Sequence, residues 1–147
     1  MTIIEFISNN EGRKKKPYRC SQGFLTVGVG YNIDAHPLPV EMQSYLDEHG
    51  EITEAMIDQL LEVSIPIATE DCAALFPDFD TFSDNRKMAL IDFLFNVGMK
   101  TAMQFDKSIH LINIGHWEEA AINMRKSRWA QQVKKRAVTV TKMIEEG

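Results

Sequence analysis

The segment from Asp84 to Val97 constrains the fold more than any other stretch of the chain. Met88, Ala89, Leu90, Ile91, Phe93, Leu94, Phe95 and Val97 place apolar side chains on nearly every side of a helix. Such a helix has to be covered all round by other elements. Ser83 is a suitable N-cap for it. The chain that follows offers the cover: shorter helices at roughly 105–113, 116–125 and 128–132, and a last one over 134–145. A chain of 147 residues can bury ~70% of its unfolded surface without disulfides or metals. One core, or two lobes sharing one, is therefore expected, with the 84–97 helix at the centre of the larger lobe.

The first half reads differently. Thr2 and Glu5 have the spacing of a capping box, and Ile3, Ile4, Phe6 and Ile7 give a short helix an apolar face ending near Asn9 or Asn10. Arg13-Lys14-Lys15-Lys16 then reads as a solvated loop, with a second reading as a guide for an acidic ligand. A small β-region is expected from about Tyr18 to Ile33, turning at Gly23, with Gly28 and Gly30 allowing close backbone approach. Helices follow from Val40 to just before Gly50 and from Ile52-Thr53 onward. Pro66 predicts a break or kink at Ser64, because proline inside a helix costs about 3 kcal/mol. Residues 77–81 read as a loop.

Composition narrows the function class. The formal charge of −5 and pI near 5.4 argue against non-specific binding to nucleic acid. The four histidines, at 36, 49, 110 and 116, lack HxxxH or HExxH spacing and none neighbours a cysteine, so no metal and no cofactor is expected. Cys20 and Cys72 lie far apart with no CxxC, which fits synthesis in a reducing cytosol. The first residues have no basic region and interrupt their apolar run with Glu5, so neither a signal peptide nor stable membrane insertion is expected.

The chemistry concentrates between Glu11 and Gly30. Glu11 stands at a helix end, where a negative charge opposes the helix dipole, so local stability does not ask for it. Taken singly, Glu11 is an ordinary exposed glutamate, Cys20 a buried apolar filler and Thr26 a strand residue. Together they offer a proton donor, a proton acceptor and a hydroxyl on one short β-turn-β element facing a helix end. Hydrolysis of an acetal linkage needs that combination.

These residues also resemble a known family. Glu11-Gly12, Tyr18, Cys20, Gly23, Thr26, Gly28 and Gly30 are similar to the catalytic stretch of the T-even bacteriophage lysozymes and related phage endolysins, where a glutamate is followed by Asp or Cys after eight residues and by Thr after five more. The likeness continues in Ala89-Leu90-Ile91, Phe95, Gly98, Phe105, Ser108, the run His116 to Asn123, Lys126 to Trp129, and Arg136-Ala137. It covers about nine-tenths of the chain and is weakest from Asn32 to Asp80. The sequence departs from the family at Tyr31, where many relatives have histidine, at Pro66, in its shorter C-terminus and in its acidic balance.

The resemblance implies a mainly α (α+β), two-lobed lysozyme-like fold. One catalytic domain would span 1–147, with a small β-sheet lobe at about 12–63 and a larger helical lobe at 64–147 on which helix 1–10 packs. It implies cleavage of peptidoglycan between N-acetylmuramic acid and N-acetylglucosamine with inversion at the anomeric carbon. Glu11 would be the general acid, Cys20 would act on the attacking water, and Thr26 would position that water. Gly30, Phe95, Ser108 and Asn123 would bind substrate, and Arg136 would pair with the acid and hold it. The expected partner is the glycan strand, met by a monomer made in the host bacterial cytoplasm that reaches the wall once a holin permeabilises the membrane. Because an ordinary thiol with pKa ~8.5 is a poor acceptor at neutral pH, Arg19 or the 13–16 run is expected to lower it. Direct attack by the thiolate, with retention, stays open. So do lytic transglycosylase activity and a catalytically silent glycan-binding or virion structural module.

Overall fold

Thr2 starts the first helix by accepting the Glu5 N–H at 3.2 Å, while the Glu5 carboxylate reaches back to the Thr2 N–H at 3.3 Å. This reciprocal cap opens α1 (Ile3–Glu11). The structure, a computed structural model, describes Met1–Gly147. Its eight α-helices and one three-stranded antiparallel sheet make a mainly α lysozyme fold with a small β-region. The chain divides into two units, Met1–Ser64 and Ile65–Gly147.

In the first unit, α1 leads into β1 (Lys14–Arg19), β2 (Leu25–Gly28) and β3 (Tyr31–Asn32), which pair in that order. Tyr18 lies opposite Thr26, Lys14 opposite Gly28 and Thr26 opposite Asn32. α2 (Val40–His49) ends at Gly50, which takes the left-handed conformation that glycine adopts without a side-chain clash. Ile7, Val27, Ile52 and Ile57 are fully or almost fully buried and anchor the unit's core.

The basic run is not a loop. Lys14, Lys15 and Lys16 form the first half of β1, which lies at the edge of the sheet, and all three stay exposed there. Backbone pairing needs no apolar side chain on a solvated edge, and lysine is a residue that edges tolerate well. Pro17 is accommodated because the register with β2 is irregular between Lys14 and Tyr18.

Nor does Pro66 break its helix. α3 (Glu54–Leu75) runs through it for 22 residues, with Thr53 capping its start by accepting the Met56 N–H at 3.1 Å. Pro66 lies on an exposed face, as does Glu62, whose carbonyl loses its helical partner and can turn to water instead. Buried Leu60, Leu61, Ala68 and Cys72 hold the helix on both sides of the proline. Tertiary anchoring thus outweighs a local cost that the sequence pattern alone weighs too heavily.

The second unit is helical. After a short 3₁₀ turn at Phe79–Thr81, Ser83 accepts the Arg86 N–H at 3.2 Å and starts α4 (Asp84–Ala102). Gly98, at φ 79° and ψ 163°, interrupts α4 just after Val97, where the apolar pattern ends. α5 (Asp106–Asn113), α6 (Trp117–Arg125), α7 (Arg128–Val133) and α8 (Lys135–Glu146) complete the unit, with α8 packed against α4, α6 and α7. No helix is long and apolar enough to cross a membrane. Pro66→Ala restores the missing N–H and is expected to raise the unfolding free energy by about 1–3 kcal/mol. A higher urea midpoint at an unchanged m-value would establish this; an unchanged midpoint would show that α3 absorbs the proline without cost.

Candidate active site

Glu11 is the last residue of α1, and the chain on either side of it is fixed. Gly12 leaves the helix at φ 79° and ψ 158° while its N–H still donates to Ser8 O at 2.8 Å. Arg13 then clamps the turn. Its Nε donates to Glu54 Oε2 at 2.8 Å, and its Nη2 donates to Asp58 Oδ1 at 2.9 Å and to the Glu54 carbonyl at 3.3 Å. Opposite the carboxylate lies Gly30, at φ +65°. A Cβ on that residue would stand 3.1 Å from Glu11 Oε2 and 3.2 Å from its carboxyl carbon, so side-chain clearance and backbone conformation both call for glycine.

Cys20 opens the turn between β1 and β2. Its carbonyl accepts the Gly23 N–H at 2.8 Å and its own N–H donates to Phe24 O at 3.0 Å. The turn aims donors at the sulfur and lowers the thiol's pKa. The Gln22 N–H is the strongest influence, partial desolvation opposes it, and the Phe24 N–H, the Thr26 side chain and the Gly23 N–H add to the lowering. Of the cations expected to do this, Arg19 is engaged elsewhere, its Nη1 donating to Gly23 O at 3.1 Å and meeting Asp34 at 3.4 Å, and no residue of the 13–16 run contributes to the lowering. Backbone dipoles replace side-chain charge in that task.

Thr26, 4% exposed, faces the same turn from β2, and its hydroxyl donates to Phe24 O at 2.9 Å. That hydroxyl has one proton, for which Phe24 O and the Cys20 sulfur compete, and whichever holds it the oxygen's lone pairs remain acceptors. Tyr18, the strand partner of Thr26, links the group. Its phenol is held above its ordinary pKa first by burial, then by the negative charges of Glu11 and of Cys20. The first unit therefore brings Glu11, Tyr18, Cys20, Thr26 and Gly30 into one neighbourhood.

The second unit holds the other residues named from the sequence. Ser108, 1% exposed on α5, accepts the Asn123 Nδ2 at 2.7 Å, so its hydroxyl orients that amide. Phe95 is half-buried on α4. Neighbouring Asn96 accepts the Trp129 indole N–H at 2.7 Å. Arg136 donates from Nε and Nη2 to the two oxygens of Asp92, at 3.0 and 2.9 Å. Asp92 is fully buried and the Arg136 side chain is 9% exposed. A planar guanidinium held in this bidentate way is fixed in direction as well as in place.

Sequence reading gave three of these contributors no role of this kind, although Tyr18 and Arg13 stand in stretches it singled out. Asp92 was legible as the lone carboxylate within the apolar run from Met88 to Val97, and Tyr18 as a residue two before Cys20, on the same side of a strand. The Arg13 clamp had no sequence signal, since its partners lie 41 and 45 residues away. No group of His, Cys, Asp or Glu side chains converges as a metal site would require.

A family profile described as phage lysozyme matches residues 8–142. Two proteins of Dictyostelium discoideum, described as probable T4-type lysozymes 1 and 2, are 29% and 28% identical to the chain, each across 99% of it and 95% of the relative. The pre-baseplate central spike protein Gp5 of Enterobacteria phage T4 is 27% identical across 98% of this chain, which corresponds to 28% of that longer protein.

Two substitutions test the geometry by stability alone. Gly30→Ala should cost about 1–2 kcal/mol from its left-handed backbone, with the contact to Glu11 adding to it. Asp92→Ala breaks a buried pair and should cost about 3–5 kcal/mol. Denaturant titrations read both, and a near-neutral Asp92→Ala would show that Arg136 does not depend on that carboxylate.

Proposed function

Because this chain belongs to the phage lysozyme family, and is therefore a lysozyme-type glycosidase, we propose that it hydrolyses the β-1,4 bond between N-acetylmuramic acid and N-acetylglucosamine in peptidoglycan with Glu11 as general acid. The observation behind this reading is the gathering of Glu11, Cys20 and Thr26 around Tyr18, with the glutamate held by the Gly12 turn, the Arg13 clamp and the glycine at position 30. Glu11 protonates the glycosidic oxygen as the bond to the anomeric carbon breaks. A water held by the Thr26 hydroxyl attacks that carbon and passes its proton to Cys20, giving inversion.

Only the thiolate of Cys20 can accept that proton. Lowering the thiol's pKa enlarges the thiolate fraction near neutral pH, which is what the Gln22, Phe24 and Gly23 N–H groups contribute. Gly30, Phe95, Asn123 and the Ser108 that orients it are assigned to sugar binding, and Arg136, aimed by Asp92, to holding the acid. A second reading is favoured by one comparison: the spike protein of phage T4 matches this chain within a larger virion component, so a virion-associated lysin is the alternative to a free endolysin.

Glu11→Gln should lower solubilisation of purified peptidoglycan by about 10²-fold or more. Equal solubilisation by both chains would remove the enzymatic assignment, and anhydromuramic ends in the products would assign a transglycosylase instead. Wild-type activity should rise with pH as the Cys20 thiol ionises. Cys20→Asp should stay active with this rising limb displaced to lower pH, since an ordinary aspartate ionises near ~3.9 and a thiol near ~8.5. Cys20→Ala should lose most hydrolysis, and full activity in that variant would exclude the thiol from the reaction.

A further inference from the structure

The basic residues of the first unit are distributed in an unusual way. All five lysines and arginines of Met1–Ser64 lie from Arg13 to Arg19, whereas its ten aspartates and glutamates all lie outside that stretch. Arg13 is tied to Glu54 and Asp58, and Arg19 to Asp34. Lys14, Lys15 and Lys16 are exposed on β1, and none of them meets a carboxylate at ion-pair distance.

Edge protection does not account for three adjacent lysines. The outer edge of β1 is already engaged where Ile52 N–H donates to Lys15 O at 3.0 Å, and Pro17 removes one donor from it. Position adds a second observation. Lys14 Nζ lies over the Tyr18 ring at 5.8 Å from its centroid, and Tyr18 is the phenol that feels the charges of both Glu11 and Cys20. The strip of cations thus begins one aromatic ring away from the acid and continues along a rigid strand.

We propose that Lys14, Lys15 and Lys16 bind the carboxylates of the peptide branches attached to the glycan strand. This inference rests on the peptidoglycan hydrolase reading above. A chain of N-acetylated hexosamines is itself uncharged, so the anions available beside the scissile bond are those of the peptides on the muramic acid lactyl groups. Lys14 to Lys16 spans on the order of 7 Å of strand, comparable with two residues of an extended peptide. An anionic lipid surface fits less well. A planar bilayer would also approach the ten carboxylates of this unit, whereas a thin peptide branch meets the lysine strip alone.

The test compares soluble glycan fragments with their peptides intact against the same fragments stripped by an amidase, with the freed lactyl carboxyls then capped as primary amides so that the stripped glycan is uncharged. The wild-type chain should prefer the intact fragments. K14Q/K15Q/K16Q should lower that preference about tenfold, through KM rather than kcat, as three exposed ion pairs allow. The corresponding triple arginine variant should retain the preference, and higher salt should weaken it. An unchanged ratio in the glutamine triple, with its thermal unfolding also unchanged, overturns the proposal. So does loss of sedimentation with phosphatidylglycerol vesicles at an unchanged ratio, which would reassign the strip to membrane. Calorimetric binding of both fragments to Glu11→Gln, with and without the triple substitution, reads the same ratio without turnover. If the wild type cleaves neither fragment the hydrolase reading fails, while the binding ratio still decides the role of the lysines.

Discussion

The place of the Glu11 carboxylate, in space that any side chain at Gly30 would crowd, is the constraint on which the first unit's design rests. A carboxylate in the proposed role of general acid has to be held within a fraction of an ångström of its proper place, because small misplacements cost orders of magnitude in rate. Here three unrelated local devices converge on that requirement. A helix stops at Glu11 because Gly12 leaves the helical conformation, Arg13 ties the next residue to α3, and a glycine with positive φ leaves free the space that a Cβ would take from the carboxylate. A side chain at position 30 would displace the carboxylate or the turn.

The electrostatics of the candidate site follow a division of labour between arginine and lysine. Arginines are spent on fixed geometry: Arg13 on Glu54 and Asp58, Arg19 on the Cys20 turn, Arg136 on buried Asp92. The planar fork of a guanidinium holds a carboxylate in a defined direction, which a flexible ammonium does not. Where a charge has to be tuned without a counterion, backbone N–H groups act instead, as at Cys20. The other thiol shows the contrast: Cys72, buried among apolar side chains, is pushed up to about 12 and is inert. No buried side-chain polar atom lacks a hydrogen-bond partner, so this polar architecture adds no unsatisfied group to the interior.

Much of the fold was legible because local and global preferences agree. The capping box at Thr2, the N-cap at Ser83, the end of α2 at Gly50 and the helices after Phe105 all fall close to where pattern places them. Local rules misled at Lys14–Lys16 and, as far as a break in the helix is concerned, at Pro66. In the first case pairing with β2 made a strand of a polar run; in the second, buried neighbours on both sides kept a helix whole. Propensity is worth a few tenths of a kcal/mol per residue and yields where burial contributes more.

By itself the sequence determined the helical character of the chain and the position of its small sheet, and it singled out Glu11, Cys20 and Thr26 as candidates, because each is encoded in periodicity or in short spacing. Tertiary structure decided how those residues are held and tuned. The Arg13 clamp, the Asp92–Arg136 pair, the glycine clearance at position 30 and the N–H groups around Cys20 depend on atoms brought together by folding. Electrostatic effects and hydrogen bonds act over a few ångströms of space, and no distance along the chain reveals which partners folding will place there.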